Sequence, residues 1–241
     1  MEQKQPIINL EGIYYSYPGS PPILKDLGLT IFKGDKIGLV APNGSGKTTL
    51  FHIIMGLLKP SAGRVNIFGK DRQTKQDFKD VRRRIGLLFQ DADDQLFSPT
   101  VLEDVAFGPL NLGKSKEEAI AISRKTLEYL GLDEFEDRIT YTVSGGEKRL
   151  VSLATVLAME PEVLLLDEPG NALDSGMRSR LIDVLNHLSI TFMLISHEFD
   201  FIAETTERIF SMEHGKLLQD DEVYIHTHRH SHRVGRQPHE H

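Results

Sequence analysis

Apolar positions along this chain fall into short runs of two kinds, some alternating with polar neighbours and some unbroken. Leu27, Leu29 and Ile31 alternate, which predicts a half-buried strand ended by the turn Lys33-Gly34-Asp35. Residues 36–40 predict a strand leading straight into a glycine-rich turn, and residues 48–58 a buried helix, apolar on most sides. After a turn at 60–63 come short strands at 64–68 and 85–89, the second ending at Gln90. The pattern then becomes helical, with predicted helices at 100–107, 115–130 and 147–159. Ser115 and Glu118 form a capping box for the second of these, and Gly131 is its stop. Residues 91–149 therefore read as a helical insertion. Beyond it, strands at 163–167 and 190–196 flank a helix at 177–188. Their unbroken apolar character predicts an α/β fold whose parallel strands are covered on both faces.

Composition narrows the class without identifying it. The 241 residues suffice for one large domain, or one domain with an insertion. With 39% hydrophobic and 26% charged residues the chain can fill a core, and no apolar run approaches the ~20 residues a membrane-spanning helix needs. Residues 1–6 lack the apolar centre of a secretory leader, so an intracellular chain is expected. The absence of cysteine excludes disulfides and thiolate metal sites. A net charge of −7 argues against a duplex nucleic-acid partner. From about residue 223 to 241 there is little to bury, so the end of the chain reads as a flexible, histidine-rich tail.

The turn after the 36–40 strand carries candidate chemistry. Pro42, Asn43, Gly44, Ser45, Gly46, Lys47 and Thr48, followed by Thr49, match the phosphate-cradling loop G-x-x-x-x-G-K-[ST] except that Ala41 stands first. Glycines let successive amides face one anion at a helix N-terminus, whose dipole favours negative charge. Lys47 then reaches the β- and γ-phosphates of a nucleotide, and the Thr48 hydroxyl ligates Mg²⁺. Ala41 costs the loop some freedom to adopt positive φ. Farther on, Asp167 and Glu168 end a buried strand, at the edge where parallel sheets place ligands. Asp167 suits Mg²⁺, and Glu168 suits polarising a water for attack on the γ-phosphate. Taken alone, such a pair is also an ordinary acidic strand-to-loop transition.

Ser144-Gly145-Gly146-Glu147 is in plain terms a capped helix start. Its place about twenty residues before the acidic strand resembles the signature motif of ABC ATPases, and the resemblance extends over the chain to about residue 220. It implies a P-loop NTPase core with a RecA-like parallel sheet, N-terminal antiparallel strands and an inserted helical subdomain, all within residues 1–222. It implies ATP and Mg²⁺ as ligands, with Tyr17 stacking on adenine (Tyr15 being the rival), Gln90 as the Q-loop residue beside Mg²⁺, Asp174 in the D-loop and His197 contacting the γ-phosphate. It also implies a second protomer, most simply an identical one, whose Ser144, Gly145 and Gly146 complete the first protomer's nucleotide site. Val143 and Glu147 replace the family's usual leucine and glutamine, and residues 170–174 lack the usual threonine.

The stretch from Asp91 to Pro109 resembles the corresponding region of energy-coupling-factor (ECF) importer ATPases, particularly those for cobalt and nickel. This implies integral membrane partners, a peripheral place on the cytoplasmic membrane face, and Asp91, Asp93 and Asp94 meeting basic groups of those partners. His226, His228, His230 and His232 alternate in the tail and would share one side of an extended segment, a loose set of ligands for Ni²⁺, Co²⁺ or Zn²⁺. An engineered histidine-rich end is the other reading. A vitamin importer, a soluble ABC protein acting on DNA or ribosomes, and a metal binder with a vestigial nucleotide site are the alternatives for the whole.

Overall fold

The computed structural model describes residues 5–219, so the tail histidines 226, 228, 230 and 232 lie outside the described residues. Strands β1 (Pro6–Tyr15), β2 (Leu24–Phe32), β4 (Ala62–Ile67) and β5 (Lys70–Asp71) form an antiparallel sheet ordered β2-β1-β4-β5. The second sheet has β3 (Lys36–Val40), β6 (Ile85–Leu88), β7 (Val163–Asp167), β8 (Thr191–Ile195), β9 (Arg208–Glu213) and β10 (Lys216–Gln219). Its order is β10-β9-β3-β8-β7-β6, and every pairing is parallel except the β9–β10 hairpin. Seven helices complete the described chain: α1 (Lys47–Ile54), α2 (Asp77–Arg84), α3 (Val101–Asn111), α4 (Lys116–Tyr129), α5 (Gly145–Leu157), α6 (Ser175–His187) and α7 (Phe199–Thr205).

The unbroken apolar strands are buried on both faces, as their composition requires. Leu165 of β7 joins the layer that contains Leu50, Phe51 and Ile54 of α1 and the antiparallel sheet. Its neighbours Leu164 and Leu166 face the opposite layer, with residues of α5, α6 and α7. β1 escapes a simple period-two reading because its register shifts between Leu10 and Ile13, where Gly12 adopts φ 59°. That bulge lets Ile8, Leu10, Ile13 and Tyr15 all reach the core despite their spacing.

α1 ends four residues earlier than residues 48–58 would have it. Its C-cap is Met55, and the following Gly56 takes a left-handed φ of 66°, the usual way to end a helix. The Phe78 ring of α2 lies against Gly56 where a Cβ would project. Gly56→Ala is therefore expected to destabilise the fold by about 2–4 kcal/mol, combining left-handed strain with overpacking. Denaturant midpoints measure this, and a loss below about 0.5 kcal/mol would contradict the assignment.

Between β6 and β7 the chain forms the predicted helices, starting with a 3-10 turn at Ala92–Asp94. α3, α4 and α5 each begin with a complete capping box, Thr100 with Glu103, Ser115 with Glu118 and Ser144 with Glu147. α5 spans residue 149, the expected limit of the insertion, and its Leu153, Ala154 and Val156 pack with Leu164 and Leu166 of β7. This helix thus reaches from the capped Ser144 to the underside of β7. Among the described residues no helix is long and apolar enough to cross a membrane.

Candidate nucleotide site

Four neighbouring parallel strands deliver the candidate residues to one sheet edge. β3 feeds the glycine-rich loop, β7 ends in Asp167 and Glu168, β8 leads through Ser196 to His197, and β6 leads to Gln90. Gly46 is the N-cap of α1 with φ 106°, and a Cβ there would crowd Leu24 at 2.8 Å, so this position requires glycine. Ala41 is not among the positive-φ residues, and hence the missing first glycine carries no backbone strain. Instead its carbonyl accepts from Lys47 Nζ at 2.6 Å, with the Pro42 carbonyl accepting at 3.0 Å.

A cleft of about 350 Å³ is lined by Tyr17, Asn43, Gly44, Lys47, Thr48 and Glu168, together with Ile23, Gly46, Thr49, Gln90 and Asp167. Pro42 and Ser45 border the adjoining opening, again with Tyr17. Tyr17 is 40% exposed and shares a 3.1 Å hydroxyl contact with Thr49, whereas Tyr15 is buried in the core. The tyrosine available to a bound base is thus Tyr17. Thr48 Oγ1 donates to Asp167 Oδ2 at 2.8 Å, and burial pushes the Asp167 carboxyl above the usual range while this hydrogen bond opposes the rise. Glu168 is buried in a left-handed conformation, φ 49°, and its Oε2 meets His197 Nδ1 at 3.0 Å.

These groups fit a magnesium nucleotide. Thr48 and Asp167 offer adjacent hard oxygens beside the cradle, and the Ser45 hydroxyl is buried without a partner among the described residues. Among the described residues no group of three or more His, Cys, Asp or Glu side chains gathers to cage a metal unaided, and Mg²⁺ at phosphates ordinarily needs only one or two carboxylates.

Ser144, Gly146, Glu147 and Asp174 do not line the nucleotide cleft of their own chain. Gly145 borders a larger neighbouring cleft with Thr48, Gln90, Asp91, Asp167 and Asn171. Ser144 caps α5, donating from Oγ to Glu147 Oε2 at 2.6 Å, and this bond with that of the Ser144 amide holds the Glu147 carboxyl below the usual range. Asp174 caps α6 by accepting from the Met177 amide at 2.9 Å. Of the three acids after Gln90, Asp93 already has an internal partner, Lys148 at 2.6 Å, and Asp91 accepts from the Asp93 amide.

Two polar residues that motif reading passes over lie here. Arg149 is buried among peptide carbonyls of residues 89–90 and 167–169. Gln95 joins the Phe89 amide to Ser152 and Thr155 of α5. The signal available in the sequence is an arginine beside the apolar run that starts at Leu150, at a position where helical periodicity turns it inward.

With this geometry in place, comparison with known proteins defines the class. Residues 24–171 match the ABC transporter family, and the chain belongs to it. An energy-coupling factor transporter ATP-binding protein, EcfA, of Methanothermobacter thermautotrophicus is 41% identical over 218 residues, covering 89% of this chain and 70% of that one. The cbiO1 structure from Clostridium perfringens, described as part of the ABC transporter complex cbiONQ, superposes with a TM-score of 0.79 at 33% identity, covering 88% and 87% of the two chains. The dimeric post-hydrolysis structure of the ATP-binding cassette MJ0796, bound to ADP and Pi, has a TM-score of 0.79 at 27% identity, covering 88% and 98%. The α/β architecture is that of an ABC ATPase cassette.

Proposed function

We propose that this chain is the ATP-hydrolysing subunit of an ECF-type importer, working as a dimer against integral membrane partners and carrying nickel or cobalt ions. The observation that carries the ATPase reading is the convergence of Lys47, Thr48, Asp167 and the Glu168–His197 pair at one sheet edge. Lys47 holds phosphate oxygens, and Tyr17 offers its ring to the base. Thr48 and Asp167, with Gln90 beside them, hold Mg²⁺, which when bound neutralises charge on the β- and γ-phosphates. Glu168 accepts a proton from the attacking water, and His197 fixes the orientation of its carboxylate.

Dimerisation is supported by the dimeric neighbour and by the placement of Ser144 and Gly146 away from their own chain's cleft. The amides of Gly145 and Gly146 have no intrahelical acceptor at the start of α5, so a second copy can offer them to the γ-phosphate. The membrane partner is supported by the cbiONQ and EcfA relatives. An exposed aromatic pair near the acidic loop, Phe97 and Phe107 with ring centroids 4.7 Å apart, supplies apolar surface for it. A peripheral place on the cytoplasmic membrane face follows from such a partner.

The ion reading rests on the resemblance of residues 91–109 and on the alternating histidines His226, His228, His230 and His232 as a loose Ni²⁺, Co²⁺ or Zn²⁺ ligand set. Uptake by the reconstituted complex decides it. ATP-dependent accumulation of labelled Ni²⁺ or Co²⁺ is expected, and vitamin uptake without metal uptake would replace this cargo with a micronutrient.

A further inference from the structure

α5 is stitched to residues 89–95 at three successive levels. Lys148 Nζ meets Asp93 Oδ1 at 2.6 Å. Gln95 Nε2 donates to the Ser152 carbonyl and to Thr155 Oγ1, both at 2.8 Å, while its Oε1 accepts from the Phe89 amide at 3.1 Å. Between these lies Arg149, 4% exposed.

The Arg149 guanidinium donates to Phe89 and Gln90 carbonyls on one side, the latter at 3.2 Å. On the other it donates to the carbonyls of Asp167, Glu168 (2.7 Å) and Pro169 (3.4 Å). Every partner is a peptide oxygen. Burial lowers the Arg149 pKa to about 10, and the charges of Asp167, Glu168 and Asp91 oppose that shift. A planar fork with five donors can span two backbone segments at once in a fixed geometry, which the three donors on lysine's single nitrogen can match only in part. The Glu168 peptide unit is gripped from both ends: its amide donates to the Ile195 carbonyl of β8 at 3.0 Å, and its carbonyl accepts from Arg149. Those two bonds hold the left-handed φ of 49° that aims its carboxylate at His197.

We propose that Arg149 is a positioning residue of the hydrolytic site, locking residues 89–90 to the carbonyls of the two acids so that displacement of one segment moves the other. The hydrolytic role it serves is the one proposed above for Glu168. A partner pressing on residues 91–95 would thereby reset Asp167 and Glu168 through one side chain rather than through the sheet. The contact is to the backbone of the acids themselves, where a displacement of about 1 Å can cost on the order of 10²-fold in rate.

The full chain, assembled with its membrane partners, tests this through Arg149→Ala and Arg149→Lys. In Arg149→Ala, kcat is expected to fall about 30–100-fold while affinity for a fluorescent ATP analogue stays within about threefold. Arg149→Lys is expected to fall less, and it carries the same comparison should the alanine variant fail to fold. Low-millimolar guanidinium, but neither urea nor sodium chloride, is expected to restore part of the turnover of Arg149→Ala and none of that of Glu168→Gln. Amide hydrogen exchange is expected to rise together in residues 89–95 and 167–171. Unchanged kcat in folded variants, equal losses of kcat and affinity, or exchange that rises in only one segment would overturn the proposal. If the wild-type assembly fails to hydrolyse ATP, the functional reading falls, and the exchange result still decides the clamp.

Discussion

Glu168→Gln is expected to reduce steady-state ATP turnover by about 10²–10⁴-fold while leaving nucleotide bound, and to accumulate a dimer that persists only with ATP. The carboxylate lines the cleft and is oriented by His197 Nδ1 at 3.0 Å, whereas the other acid there, Asp167, is engaged by the Thr48 hydroxyl at 2.8 Å. Glutamine preserves the size of the side chain and can still meet the imidazole, but it cannot take a proton from water. The ground state therefore survives while the chemical step fails. Because the residue is buried on a backbone fixed at φ 49°, a nearby acid cannot swing in as a substitute without moving the strand end. Turnover and size-exclusion profiles with ATP and with ADP measure the two effects. Near-native turnover by the variant would remove Glu168 from the chemistry, and an ATP-independent elution profile would remove the nucleotide from the interface.

Lys47→Ala acts earlier, on binding. Its loss of ATP affinity is expected to be about 10–100-fold, the worth of one to two charge-assisted hydrogen bonds. Lys47 is nearly buried, and its ammonium is occupied by the Ala41 and Pro42 carbonyls at 2.6 and 3.0 Å. The variant therefore loses both a phosphate ligand and a brace across the loop. Equilibrium titration with a fluorescent nucleotide reads the change, with a melting curve to show that the fold persists. Affinity equal to that of the wild type would show that the amides and α1 bind phosphate without the cation.

Much of this site was legible before the fold was known, for a specific physical reason. A strand must precede the glycine loop, and another must end in the acids. Parallel pairing then leaves little choice about which edge they share, so Lys47, Thr48, Asp167 and Glu168 meet in space as their chain order implies. The capping boxes at Ser115 and Ser144 are local and were readable for the same reason. What escaped depends on through-space partners. The end of α1 is decided by Phe78 lying against Gly56, and the path of β1 by its bulge. Arg149 belongs to the same group, since its acceptors come from segments 59 and 18 residues away. The Lys148–Asp93 pair, 55 residues apart in sequence, is set by the fold in the same way.

The strands that carry the cradle, the acids and the histidine are β3, β7 and β8, each flanked on both sides by another strand. Fraying begins at edges, where a ladder has one neighbour to lose, so these three should open only when the whole domain does. An ABC cassette built this way holds these side chains in place without local unfolding. In the ATPase cycle proposed above, active and idle states are then expected to differ in what is brought to the sheet edge and withdrawn from it, the strands themselves staying intact.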